Sequence, residues 1–176
     1  MKKIKIALSI YFSIIISMTL SAQTTLELTE RKGELPKLTN YIPHQQLTEN
    51  SPEDILQKYE EWMFSLPHVQ LKQSINSFPT AKGAVIERGV KMNPLLPNRE
   101  FTHVHYEPEP GSLHVFLPKE DADYIVSKKW GVYHPLSLGN SRRPYIIVLV
   151  FSPRNEEDLV ELKKIVKRAH QFALSN

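Results

Sequence analysis

The 176-residue chain contains no cysteine and only six glycines. Without cysteine it has no disulfide, no thiolate metal ligand and no cysteine nucleophile, so its stability must come from a packed core. The chain also lacks a glycine-rich phosphate-binding loop, the dinucleotide-binding fingerprint and the G-x-S-x-G motif of serine hydrolases. These absences argue against nucleotide enzymes and against hydrolases with a serine or cysteine nucleophile.

A long apolar run without charges occurs only at the N-terminus. Three lysines lie within the first five residues, an apolar stretch covers residues 6–20, and Ser21 and Ala22 follow as small residues. This is the pattern of a signal peptide, and the stretch is short and serine-diluted for a membrane span. We therefore predict a signal peptide over residues 1–22 and an exported, periplasmic or secreted protein. An uncleaved anchor is the alternative, and after cleavage we expect no stable membrane insertion.

The chain has little net charge once this segment is set aside. The formal net charge is +3, and the three lysines of the predicted signal peptide account for all of it, which leaves 19 basic against 19 acidic residues. A domain without net charge lacks the excess of basic residues that attracts nucleic acid. We predict a small-molecule partner and no nucleic-acid partner.

Hydrophobic periodicity predicts an α+β domain over residues 51–176, preceded by an extended arm over residues 23–50. We expect a mostly antiparallel sheet of about five strands with three helices packed on it. His44 falls in the arm, where we expect a solvated loop histidine. The helices are predicted to begin at Ser51-Pro52, at Pro118-Lys119 and at Ser152-Pro153. The strands are predicted near residues 69–75, 84–92, 101–107, 112–117 and 145–151.

Four of the seven histidines lie between residues 100 and 136. If Phe101 to Glu107 form a strand, His103 and His105 share one face with Phe101 and Glu107, because side chains alternate. A four-residue turn, Pro-Glu-Pro-Gly, would pair Glu107 with Ser112 and place His114 opposite His105, on that same face. An odd change in turn length would move His114 to the other face.

The histidines support three interpretations, which the residues alone leave open. His103, His105 and His114 can converge on a transition metal, with Glu100, Glu107 or His134 completing the site. In a metal-free pocket one histidine can instead act as general base. Alternatively, the histidines are hydrogen-bonded structural residues. An aromatic wall is predicted from Tyr106, Trp130 and Tyr133.

Four short segments, in this order, resemble the luciferase-domain family, which includes the fungal luciferases and many bacterial proteins. The segments are Glu100-x-x-His103-x-His105, Gly111-Ser112-Leu113-His114-Val115-x-Leu117-Pro118, Trp130-Gly131-x-x-His134-Pro135-Leu136 and Ser152-Pro153-Arg154-Asn155-Glu156-Glu157. Fungal luciferases oxidise a phenolic pyrone, 3-hydroxyhispidin, with molecular oxygen and emit light. The resemblance implies a related pocket here, but it does not imply light, because emission depends on the substrate.

These observations lead to two functional hypotheses. The first is an exported oxygenase-like enzyme, a monooxygenase or luciferase-like oxidoreductase, acting on a phenolic or enolic small molecule. The second is a non-catalytic exported domain that binds a small ligand or an envelope partner. The cofactor stays open between none and a divalent transition metal. The predicted catalytic residues are His103, His105, His114 and His134, and the predicted substrate-binding residues are Glu100, Tyr106, Trp130 and Tyr133.

Overall fold

The computed structural model describes residues 25–96, 98–107, 110–138 and 144–175. The predicted signal peptide lies outside these residues. The helices and strands, in chain order, are α1 Glu53–Phe64, β1 Val69–Gln73, β2 Lys82–Ile86, β3 Glu100–Val104, β4 Leu113–Leu117, α2 Lys119–Ser127, β5 Gly131–Tyr133, β6 Ile146–Val150 and α3 Glu156–Leu174. Across the described ranges, none of the helices combines the length and apolar character needed to cross a membrane.

The strands form one antiparallel sheet in the order β1-β2-β3-β4-β6-β5. This confirms the predicted α+β class, with one more strand than expected. The additional strand is β5, which is only three residues long. It can lie against β6 because Gly131 has no side chain, and a Cβ there would collide with the carbonyl oxygen of Leu149.

The hydrophobic core lies between the helices and one face of the sheet. Leu113, Val115 and Leu117 of β4 alternate into this core, where they join the apolar stripe of α3. Directly opposed residues of an antiparallel pair share a face, so the core face continues onto Val148 and Val150 of β6. The intervening β4 residues, including His114, therefore occupy the other face.

The predicted helix starts at Ser51 and at Ser152-Pro153 were wrong in detail. The N-cap of α3 is Asn155, whose side chain accepts a hydrogen bond from the Asp158 backbone N–H at 2.9 Å. The hydroxyl of Ser51 instead donates to the Pro153 carbonyl at 2.7 Å, and that of Ser152 donates to the Pro110 carbonyl at 3.3 Å. Ser51 thus ties the start of α1 to the start of α3, and Ser152 ties the start of α3 to the β3–β4 hairpin.

Residues 25–50 run from the helices to the other face of the sheet. The first half is held by backbone hydrogen bonding of Arg31 to Lys128, which follows α2. Farther on, Leu38 and Gln46 form an isolated bridge, and the Gln46 side chain accepts the Ser152 N–H at 3.0 Å. The segment between them crosses the histidine-bearing face and carries His44.

Candidate functional site

A β-bulge in β3 brings Glu100 to the histidine-bearing face. Ala84 of β2 pairs with Thr102, whereas the next residue, Val85, pairs with Glu100, so Phe101 is an extra residue without a partner. The side chain of Phe101 consequently packs on the core face, 5.4 Å from the ring of His170. The prediction that Phe101 shares a face with His103 was therefore wrong, because it assumed an uninterrupted alternation.

The carboxylate of Glu100 is fully buried and held by three groups. Its Oε1 atom lies 2.7 Å from His103 Nδ1 and accepts the Ser74 hydroxyl at 2.9 Å, and its Oε2 atom accepts the Ile75 N–H at 3.3 Å. The carboxylate fits there because Gly83 lies beneath it, where a Cβ would be 2.9 Å from Oε2. Burial alone would raise the pKa of Glu100, but the hydrogen bonds and charge of His103 and the hydrogen bond from Ser74 outweigh burial and lower it. Glu100 is therefore ionised at neutral pH.

The register of the β3–β4 hairpin differs from the predicted one by two residues. His103 is paired with His114, and the His105 N–H donates to the Ser112 carbonyl at 2.9 Å, so the connecting loop is longer than four residues. The predicted Glu107–Ser112 pair and the placement of His105 opposite His114 were wrong. Because the shift is even, the imidazoles of His103, His105 and His114 still share one face.

These three imidazoles are in direct contact. Their ring centres are 5.2 Å apart for His103 and His105, 5.0 Å for His103 and His114, and 4.6 Å for His105 and His114. The Nε2 atom of His103 lies 3.1 Å from Nδ1 of His114, and Nδ1 of His105 lies 3.3 Å from the Ser112 hydroxyl. All three residues are at most 5% exposed.

Two more histidines extend the cluster. The ring of His134 lies 4.6 Å from that of His114, and its Nδ1 accepts the Leu136 N–H at 3.1 Å. His44 approaches from the arm, with ring centres 5.5 Å from His134 and 6.4 Å from His114. It is 6% exposed, so the prediction of a solvated loop histidine was wrong. No periodicity in residues 25–50 marks it, and only the folded arm reveals it.

The three residues of the predicted aromatic wall lie elsewhere. The indole N–H of Trp130 donates to the Thr29 carbonyl at 2.6 Å, and the Tyr133 hydroxyl donates to Asp123 at 2.7 Å. The Tyr106 hydroxyl donates to Glu60. The structure therefore uses these residues to attach the arm, α2 and α1 to the sheet, and it brings none of them to the histidines.

A cavity of about 580 Å³ lies over the cluster. His44, His103, His114 and His134 line it at one side, and it is otherwise mainly apolar. Its aromatic residues are Phe78, Phe116 and Tyr145, and its aliphatic residues are Ile42, Ile75, Leu136 and Ile147. This volume and lining are typical of small-molecule sites.

Residues 98–169 match the sequence model of a family described as "Luciferase domain". This part of the chain is similar to luciferase domains. The match contains Glu100 and the histidines at 103, 105, 114 and 134, and confirms the family resemblance drawn from the sequence. His44 lies outside the matched residues.

Individual fungal luciferases are also similar to this chain. The luciferase of Armillaria gallica is 36% identical over 70 residues, which are 39% of this chain and 26% of that protein. The luciferase of Armillaria mellea matches to the same extent. The luciferase of Neonothopanus nambi is 25% identical over 164 residues, or 80% of this chain and 59% of that protein. The chain thus spans between a quarter and three fifths of the lengths of these relatives. No solved structure matches significantly.

Burial keeps the imidazoles of His44, His105 and His114 uncharged at neutral pH by lowering their pKa values. Burial, with smaller effects from the charges of His103, His134 and His44, lowers the pKa of His105 to about 3. Burial likewise holds the pKa of His114 well below its usual value, and it lowers the pKa of His44. Neutral imidazoles offer a lone pair, which can accept a proton or bind a metal.

Three nitrogens of the cluster are buried and have no hydrogen-bond partner among the described residues. They are His105 Nε2, His114 Nε2 and His44 Nδ1. Buried polar atoms are normally paired, and an unpaired one calls for an explanation. A bound molecule or ion in the cavity would supply the missing partners.

Proposed function

We propose that this protein is a luciferase-like enzyme that oxidises a small phenolic or enolic molecule with molecular oxygen in the histidine-lined cavity. One observation carries the proposal. The apolar cavity is lined by His44 and His114, and each of these neutral imidazoles has a buried nitrogen without a hydrogen-bond partner among the described residues. An apolar, hydroxyl-bearing ring suits such a cavity, because its carbon skeleton contacts the aromatic walls and its hydroxyl meets the histidines.

The chemistry begins with removal of the hydroxyl proton. His44 and His114 line the cavity, and each has one unpaired nitrogen that can accept this proton. The resulting phenolate or enolate is electron-rich at carbon and reacts with oxygen, which is reduced as the substrate is oxidised. The lowered pKa values of His44 and His114 keep both imidazoles in the accepting form at neutral pH.

Oxygen uptake tests this function directly. The purified chain is offered hydroxypyrones, catechols and flavonols, and products are analysed by mass spectrometry with labelled oxygen. We expect substrate-dependent uptake in the wild-type chain and in His68→Gln, whose histidine is exposed and lies outside the cavity. We expect a loss of at least ten-fold in His114→Gln. Tight binding of such a ligand without oxygen uptake would instead support the non-catalytic binding domain.

We also propose that the protein is exported and that the signal peptide is removed after Ala22. The support is the lysine-rich start and the apolar stretch of residues 6–20. N-terminal sequencing of the protein from the extracellular or periplasmic fraction should begin at Gln23. Recovery of full-length protein in the membrane fraction would indicate a retained anchor.

A further inference from the structure

The mechanism above leaves His105 unused. Its side chain is 1% exposed, its Nδ1 is near the Ser112 hydroxyl, and its Nε2 has no partner among the described residues. Leaving a buried imidazole nitrogen without a hydrogen-bond partner destabilises the fold. The ligand-capable atoms of His103, His105 and His114 all lie within 4.8 Å of one another.

We infer that His103, His105 and His114 bind a divalent transition metal, with Glu100 and Ser112 as the groups that orient the ligands. This site goes beyond the proposed function and does not depend on the identity of the substrate.

The ring positions fit a shared ion. Nitrogens bound at 2.0–2.1 Å with angles between octahedral and tetrahedral lie roughly 2.9–3.4 Å apart, and the ring centres lie roughly 4.5–5.2 Å apart. The observed separations are 3.1 Å between His103 Nε2 and His114 Nδ1, and 4.6 to 5.2 Å between ring centres. The three rings therefore have the spacing that a single ion requires.

The outer hydrogen bonds also have the arrangement of a metal site. A metal-bound imidazole usually donates its second N–H to a carboxylate or another acceptor, which fixes the ring orientation. The Glu100 carboxylate accepts the Nδ1 hydrogen of His103 at 2.7 Å, which leaves the lone pair of the neutral ring on Nε2. The Ser112 hydroxyl lies 3.3 Å from Nδ1 of His105 and can accept its hydrogen in the same way, which would place the lone pair of His105 on Nε2. An ion at these lone pairs would also occupy the unpaired Nε2 of His105.

A second group of three, His44, His114 and His134, is less suited to a metal. Its ring centres are up to 6.4 Å apart. In addition, His134 accepts the Leu136 N–H at Nδ1, which leaves the hydrogen of the neutral ring on Nε2. Nε2 of His134 therefore has no lone pair for an ion. The geometry favours the group that contains His105.

The consequence for catalysis concerns His114. When Nδ1 of His114 binds the ion, the hydrogen of the neutral ring is on Nε2, so this atom becomes a donor toward the cavity. The proton acceptor is then His44, whose Nδ1 is unpaired. Without an ion, Nε2 of His103 and Nδ1 of His114 share an ordinary hydrogen bond across 3.1 Å.

Cobalt binding tests the site without any substrate. The tag-free chain, stripped with chelator, is titrated with Co²⁺ and followed by its visible absorption and by elemental analysis. We expect one ion per chain with nitrogen-ligand bands, and a loss of affinity of at least 100-fold in His105→Gln. His134→Gln and His68→Gln should bind as the wild type does, because neither residue belongs to this group.

Two results would overturn the inference. One is a folded wild-type chain that binds no stoichiometric cobalt, and the other is cobalt binding lost in His134→Gln but kept in His105→Gln. If His105→Gln does not fold, Ser112→Ala provides the second variant, and we expect about 10- to 100-fold weaker binding from loss of the orienting group. Oxygen uptake by a chain that binds no ion would reject the metal site and leave the proposed function standing.

Discussion

Nδ1 of His103 lies 2.7 Å from Oε1 of Glu100, although the two residues are three apart on the same strand. In a regular strand they would point to opposite faces. The extra residue Phe101 interrupts the alternation, so Glu100 and His103 lie on the same face of the sheet. The bulge therefore places a buried carboxylate beside the histidine cluster. Bulges of this kind recur next to functional sites, where they redirect a side chain.

Replacing Glu100 by Gln should reduce metal affinity and oxygen uptake by about 10- to 100-fold. The substitution keeps the shape of the side chain but removes the charge that holds the Nδ1 proton of His103. Cobalt titration and oxygen uptake check both effects, with Glu87→Gln as the control because Glu87 is an exposed acid beside His68. Equal losses in the two variants, or no loss in either, would contradict the role of Glu100.

Gly83→Ala should destabilise the fold by about 1–3 kcal/mol, the usual cost of an overpacked core. The new Cβ would lie 2.9 Å from Oε2 of Glu100 and 3.3 Å from the Cα of Ser74, so the carboxylate must move. Urea unfolding measures the loss. Adding Glu100→Asp, which withdraws the carboxyl group, should recover part of it, and strictly additive effects would show that the two sites do not interact.

Stability of the metal-free protein should fall as the pH drops below about 6.5. The pKa of His105 is lowered to about 3 in the folded chain, so between these values the unfolded chain binds a proton that the folded chain excludes. Each pH unit then costs about 1.4 kcal/mol for this residue. His114, whose pKa is also lowered, acts in the same direction.

Urea unfolding in chelator at pH 6.5 and at pH 5 measures this effect. His105→Gln should lose about 2 kcal/mol less than the wild type over this interval. His68→Gln should follow the wild type, because His68 is exposed. An equal loss of unfolding free energy in the wild type and in His105→Gln would contradict exclusion of the proton from the folded cluster.

Gln46→Ala should release the arm and cost about 1–3 kcal/mol. The substitution leaves the buried Ser152 N–H without its acceptor, and it also removes the donors to the carbonyls of Thr48 and Glu49. Limited proteolysis should then cleave within residues 37–50, and the melting temperature should fall. Lys37→Ala, an exposed change in the same segment, serves as the control and should be cut no faster than the wild type.

Most helices and strands could be predicted from the periodicity of apolar residues, because an apolar stripe or a run of β-branched residues marks the buried face of an element. Periodicity also grouped His103, His105 and His114, because an even error in hairpin register preserves the face. It could not reveal the bulge at Phe101, which interrupts the alternation without any glycine or proline in the strand. The short β5 strand was missed because three residues are too few to show a period.

The remaining errors concern residues whose environment depends on distant parts of the chain. Trp130 and Tyr133 were predicted to form part of an aromatic wall, but Tyr133 pairs with Val148 of β6, on the core face. His44 was assigned to solvent because its segment is polar. The polar side chains of this segment instead form hydrogen bonds with the hairpin and with the start of α3. One example is the hydrogen bond that the Gln45 side chain donates to the Glu107 carbonyl.

The boundary of the family match divides the residues that line the cavity into two parts. The lining residues from His103 to Ile147, which we call the floor of the cavity, lie inside residues 98–169. Ile42, His44 and Phe78 belong to the part of the chain before residue 98. Substitutions of Ile42 and Phe78 reshape the walls and leave His44 and the other histidines in place. Changing Ile42 and Phe78 while keeping His44 is therefore a direct route to altered substrate selectivity.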